Sequence, residues 1–201
     1  MPSLLEQLLG ATADDTVAQV RTHTGNDAQK AEQAYGAAVG TILRGLEAKT
    51  QTKEGAESVW DMLRKQVENG NVPAEAPAPG SGVQVRDLDP KSVNDMFKVI
   101  FGDKAPQVEG GFGKVITLDP ATTQKIFAKV LPAILGGIFG AAEKSPKESP
   151  QALPEILGGA RREMEQKQPK STGVLDAILD RDGDGDVDLA DLVGIFAGHS
   201  K

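Results

Sequence analysis

Cysteine is missing from this chain of 201 residues. That removes disulfides, thiolate zinc sites and thiol nucleophiles together, and leaves the redox compartment open. Histidine occurs only as His23 and His199. Neither has ligand spacing to a second histidine, and both are expected to face solvent. Aromatic residues make up 4% of the chain, so the core must come from Leu, Ile, Val and Ala on closely packed helices. No basic run interleaved with aromatics is present, which excludes an ordinary nucleic-acid surface. The acidic balance, a formal net charge of −7, argues against electrostatic attachment to anionic lipid.

Long apolar runs are also scarce. The most apolar stretch, Val130–Ala142, is shorter than the roughly 20 residues needed to cross a bilayer, and reads as a buried core helix. The N-terminus, Met1-Pro2-Ser3-Leu4-Leu5-Glu6, has no basic region ahead of an apolar core and is not a Sec signal. The expectation is a soluble protein with no transmembrane segment, cytoplasmic by default, with signal-independent export left open. Catalytic signatures are equally thin. No Gly-x-Ser-x-Gly elbow occurs. Gly110-Gly111-Phe112-Gly113-Lys114 lacks the Walker spacing and the hydroxyl residue after lysine, and reads as a turn. The chain is expected not to be an enzyme.

Apolar residues recur at three- and four-residue steps through most of the chain, which makes the expected fold class all-α. Leu4, Leu5, Leu8 and Leu9 line a short helix over 2–10. Val17 and Val20 mark another over 14–23, and Thr24-Gly25-Asn26 is a turn. Asp27 can cap a long helix reaching Lys49. A further helix near 54–68 presents Val59, Trp60, Leu63 and Val67, and Gly70 ends it. Residues 71–89 carry Pro73, Pro77, Pro79, Gly80 and Gly82, the composition of an extended, mobile linker. Asp89-Pro90 then pairs an N-cap with proline at the first helical position.

A constant offset of 92 positions aligns the two halves without a gap. Leu5 falls on Phe97, Gly10 on Gly102, Asp27 on Asp119, Tyr35 on Phe127, Ile42 on Ile134 and Gly45 on Gly137. The expectation is two tandem, bundle-like helical repeats, over 1–70 and 90–168, joined by the linker. Each long helix carries glycines four apart, Gly36 and Gly40 in the first and Gly136 and Gly140 in the second. In a soluble chain this spacing points to close backbone packing. Pro132 falls inside the second long helix and is expected to bend it. A last helix over about 153–166 follows.

Residues 169–201 are expected to be a separate module. Aspartate fills positions 1, 3, 5, 7, 9 and 12 of the window 180–191, as Asp180, Asp182, Asp184, Asp186, Asp188 and Asp191. Gly185 holds position 6 and Val187 position 8. A calcium ion takes six to eight oxygens at about 2.3–2.6 Å, and a short loop wraps it only when alternate residues point inward. Asp180, Asp182 and Asp184 would give side-chain carboxylates and Asp186 its backbone carbonyl. Asp188 would act through water, and Asp191 would close the shell. Asp191 is one methylene shorter than the usual Glu. Val174, Leu175, Ile178 and Leu179 enter the loop at helical spacing, and Leu192, Val193, Ile195 and Phe196 leave it likewise, which a solvated acidic tail would lack. The loop resembles the EF-hand and, through Asp191-Leu192, one half of a dockerin repeat.

Leu8-Leu9-Gly10, Val17, Val20, Thr24-Gly25 and Ile42-Leu43-Arg44-Gly45-Leu46 form one copy of a wider pattern. Val130-Leu131-Pro132-Ala133-Ile134-Leu135-Gly136-Gly137-Ile138 forms a second. Together they resemble the bacterial family filed as domain of unknown function 937, over about residues 1–145. The resemblance implies an all-helical bacterial protein and brings no accepted activity or catalytic residues.

Two functional readings follow. In the first, the protein is a calcium-binding, non-catalytic interaction or scaffold protein. Calcium orders the EF-hand-like module, which docks on the helical body, on a second copy or on another protein. In the second, the helical domain binds a small apolar ligand or lipid near Gly36, Gly40, Gly136 and Gly140, or is an uncharacterised enzyme, with calcium purely a structural staple.

Overall fold

The structure is a computed structural model, and it describes residues 11–74, 86–147 and 149–167. Every regular element among them is helical: α1 (Ala11–His23), α2 (Ala28–Lys49), α3 (Lys53–Glu68), α4 (Pro90–Phe101), a 3-10 turn at Gly102–Lys104, α5 (Ala105–Ile116), α6 (Pro120–Glu143) and α7 (Ser149–Lys167). The all-α expectation holds. The helices expected over 2–10 and in the C-terminal module lie outside the described residues.

Three aspartates set the helix starts. Asp27 accepts a hydrogen bond from the Lys30 amide at 3.0 Å and opens α2. Asp89 accepts from the Lys91 and Ser92 amides, both at 3.0 Å, with Pro90 behind it at the start of α4. Asp119 accepts from the Thr122 amide at 3.0 Å and opens α6. Each carboxylate satisfies amides that have no partner inside the helix. The Ser92 and Thr122 hydroxyls donate to the second oxygens of Asp89 and Asp119, both at 2.6 Å, and hold these carboxyls below their ordinary range. Gly25 and Asn26 take positive φ in the turn after α1, as the Thr24-Gly25-Asn26 reading requires, and Gly70 does so after α3.

The core is built around α6, which touches every other described α-helix. Its buried side chains run from Thr123 to Ala142. Phe97 of α4 and Phe112 of α5 both pack on Phe127, with ring centroids 4.6 and 4.7 Å apart. Trp60 of α3 stacks on Phe139 at 5.0 Å. Ile42, Leu43 and Leu46 of α2, Leu63 of α3, and Leu153 and Leu157 of α7 complete one hydrophobic core that spans both halves of the chain. By length and composition α6 could cross a membrane, but 78% of its most apolar window is buried inside the molecule.

Two sequence expectations need correction. Gly110–Lys114 is not a turn but lies within α5, which ends at Thr117 in the left-handed conformation. Tertiary packing outweighs the weak helix preference of glycine. A Cβ on Gly113 would lie 2.9 Å from the Thr123 hydroxyl and 3.1 Å from the Leu118 carbonyl oxygen, so that position needs glycine for closeness rather than for turning. The ends of the 71–89 segment are also not loose. Val72 and Leu88 are buried, and Pro73 lies against the backbone of α6 at Gly136. Residues 75–85 lie outside the described residues.

Candidate functional site

The six aspartates of the proposed calcium loop, Asp180, Asp182, Asp184, Asp186, Asp188 and Asp191, lie outside the described residues, as does His199. Among the described residues, no group of three or more His, Asp or Glu is placed to hold a metal ion.

The most organised polar site is where the chain re-enters the helical body at residues 86–89. It begins with a missing hydrogen. In a helix the carbonyl of residue i accepts from the amide of residue i+4, and Pro132 has no amide hydrogen to give Ala128. The Leu88 amide takes that place and donates to the Ala128 carbonyl at 3.1 Å. The Leu88 side chain is buried. Beside it, the Lys129 ammonium donates to both carboxylate oxygens of Asp87, at 2.9 and 2.8 Å, and to Gln19 Oε1 of α1 at 3.3 Å. The Lys129 side chain is 13% exposed and that of Asp87 54%, so the pair is shielded on the lysine side and open to solvent on the carboxylate side. The proline that the sequence presents as a helix-bending residue thus opens a docking position inside a continuous helix.

His23, at the end of α1, belongs to the same neighbourhood. It is half-buried rather than solvent-facing, which corrects the expectation from sequence. Burial pushes its pKa below the ordinary value, the Lys129 and Lys125 ammonium groups push the same way, and Asp87 opposes them. A histidine so placed favours the neutral imidazole. No spacing rule could reveal this, because Lys129 lies more than a hundred residues away in sequence.

Other polar contacts tie helices together. Glu47 of α2 and Arg161 of α7 form an ion pair at 2.9 Å, with the Glu47 side chain 17% exposed. Lys30 at the start of α2 donates to the Thr117 carbonyl at the end of α5, at 3.1 Å, where a cation complements the helix dipole. Between the end of α6 and the start of α7 lies an open hollow of about 280 Å³, lined by Ala141, Ala152, Ile156 and the Lys147–Glu155 ion pair. The Lys147 ammonium holds the Glu155 carboxyl below its usual range. The glycines of the ligand-binding reading are buried: Gly36 and Gly40 in α2, Gly136 and Gly140 in α6. At Gly136 the room a side chain would need is already filled by Pro73.

The fold and these contacts define a cysteine-free all-α protein whose described polar groups are caps, cross-helix ties and one anchored chain re-entry. The family model for a bacterial protein of unknown function, DUF937, matches residues 6–141, and the chain belongs to that family. No curated protein and no solved structure matches the chain.

Proposed function

We propose that the protein is a calcium-binding, non-catalytic helical interaction or scaffold protein, in which calcium orders the C-terminal module over 169–201. The observation that carries this reading is the placement of aspartate at six ligand positions of one twelve-residue window, with glycine at the position of the sharp turn. Without a cation the window holds six carboxylates and one guanidinium, a net −5 of the chain's −7. Their mutual repulsion opposes a closed loop, and a divalent cation reverses it. An isolated helix-loop-helix buries little apolar surface, so the ordered module seats Leu192, Val193, Ile195 and Phe196 on the helical body, a second copy or another protein. The partner on this reading is a second copy or another protein rather than a nucleic acid, and the setting is cytoplasmic by default, with signal-independent export left open.

The scaffold, on this reading, is a pair of tandem repeats. Asp119 follows Asp27 by 92 positions, and each accepts from the amide three residues on. The helices they open begin at Ala28 and Pro120, at the same offset. The packing supports the pairing: α1 lies on α2 and α6, while α5 lies on α6 and α2.

Calorimetric titration of the chelated full chain with calcium, and separately with magnesium, tests the proposal. One saturable calcium site with a raised melting temperature is expected, and the Asp182→Asn, Asp184→Asn double variant should lose both effects. No heat and no shift in the unmodified chain would sink the reading.

A further inference from the structure

The packing of α1, α2, α3, α5, α6 and α7 is unchanged when the two halves of the chain trade places. Helix α1 lies on α2 and α6, and α5 lies on α6 and α2. Helix α3 lies on α2 and α6, and α7 lies on α6 and α2. The α2–α6 and α3–α7 contacts map onto themselves. Helix α4 stands outside this exchange. It touches α2, α3, α5 and α6, and at the offset of 92 positions it corresponds to the stretch that ends at Leu9 rather than to a described helix.

A glycine makes the seat of α4. A Cβ on Gly45 of α2 would stand 2.7 Å from the Ile100 Cγ2 methyl and closer still to the Phe101 ring, so only a bare backbone lets α4 approach. At the same offset Gly45 corresponds to Gly137, which is buried in α6. Ile100 and Phe101 correspond to Leu8 and Leu9, and Met96 and Phe97 to Leu4 and Leu5. The exposed Lys98 corresponds to Glu6, so no charge is carried to the buried side. Gly102, which leaves α4 at φ +60°, corresponds to Gly10. Leu9 stands two residues before α1, about 7 Å of chain, and α1 itself lies on α6. One turn beyond Gly137 on the same face of α6 comes Ala141, which lines the open hollow with Ala152 and Ile156 of α7.

We propose that this face of α6 and α7 is a docking surface for residues 4–9 of the same chain, with Leu8 and Leu9 over Gly137 as Ile100 and Phe101 lie over Gly45. The proposal rests on the tandem-repeat reading of the scaffold and carries it to a stretch outside the described residues. The occupant is fixed by three matches: four leucines at the positions of the four apolar residues of α4, a glycine beneath them, and a short tether to α1. The apolar N-terminal positions thus belong to the helical body and are not offered to a partner.

The chain has no cysteine, so any disulfide formed in a full-chain variant is the engineered one. Gly45→Cys with Ile100→Cys is the calibration pair. The Ile100 Cβ is one bond from the Cγ2 methyl and so within about 4.2 Å of the new Cβ, a spacing that a disulfide takes. Leu8→Cys with Gly137→Cys is the counterpart, and it should close within one chain under the same mild oxidation. Closure of the calibration pair alone would overturn the proposal while leaving the exchange among the six other helices as it is. A disulfide between two chains would overturn it as well, and would assign the seat to a second copy. Should either glycine variant fail to fold, Leu8→Asp with Leu9→Asp decides. Loss of two buried leucines should lower the melting temperature by roughly 5 °C or more, and an unchanged melting temperature would refute the docking. The calcium titration tests the C-terminal module separately.

Discussion

The indole of Trp60 and the ring of Phe139 lie 5.0 Å apart and 6° from parallel, one on α3 and the other on α6. Trp60 is the only tryptophan in the chain, so its emission reports this contact between the halves. A stacked aromatic pair contributes about 0.5–1.5 kcal/mol beyond the area it buries. Phe139→Ala should lower stability by roughly 2–3 kcal/mol, since Phe139 is only partly buried and the cost should fall at or below the low end for a fully buried ring. Its emission should shift to the red at temperatures where the helices persist. An unchanged spectrum in a folded variant would remove the stack from the account.

The bond from Leu88 to Ala128 makes a prediction about proline. Pro132→Ala returns an amide hydrogen to α6, and that hydrogen competes with Leu88 for the Ala128 carbonyl. An alanine in a helix interior is otherwise favourable by about 3 kcal/mol over proline. The variant should therefore keep its helices while the Leu88 amide exchanges with solvent at least tenfold faster. Hydrogen exchange resolved at Leu88 is the measurement, and an unchanged rate would mean that the strap does not depend on the missing hydrogen.

Glycines separate into those held by neighbours and those that are not. At Gly136 an added Cβ would stand 2.7 Å from the backbone oxygen and the ring of Pro73, while at Gly159 in α7 nothing lies within 4 Å. Gly136→Ala should cost about 1–3 kcal/mol as the Pro73 anchor is pushed off. Gly159→Ala should gain about 0.5–1 kcal/mol from helix preference alone. Denaturant melts of the two variants, made side by side, check both signs.

The half-buried His23 gives the protein a pH-dependent element. Its folded pKa lies below the ordinary value of 6.5, so the unfolded chain takes up the proton more readily. Stability then falls as pH drops through about 6.5 and levels off below the folded pKa. Melting temperatures between pH 7.5 and 5.5 should decline in the unmodified protein by more than in His23→Gln. Parallel declines would show that other groups dominate in this window.

Much of this fold is legible in the sequence where the cause is local. Asp27, Asp89 and Asp119 start helices because a carboxylate reaches amides two or three residues away, a matter of adjacent chemistry. The buried faces of α2 and α6 follow from spacing. The sequence misleads where the cause is distant. Gly110–Lys114 looks like a turn because glycine is a poor helix former, yet the neighbours of Gly113 settle its conformation. His23 looks exposed because nothing beside it in the chain is apolar, and the charges that act on it, Lys129 and Lys125, come from a later helix. Pro132 reads as a bend within the long helix, and the residue that supplies the missing hydrogen bond comes 44 positions earlier. The proposed calcium loop is a different case, since it is read from residue spacing alone and its aspartates lie outside the described residues.

The central position of α6 also bears on how the chain is made. A ribosome releases α1, α2 and α3 first, and the helix that covers their apolar faces is complete only at Glu143, 75 residues after Glu68. At about 5–20 residues per second, that interval lasts roughly 4–15 s. During it Trp60, Leu63 and Leu46 wait without the surface they will occupy. The nascent first half is thus a client for any factor that shelters apolar helices, and its exposure is set by synthesis rate rather than by folding rate.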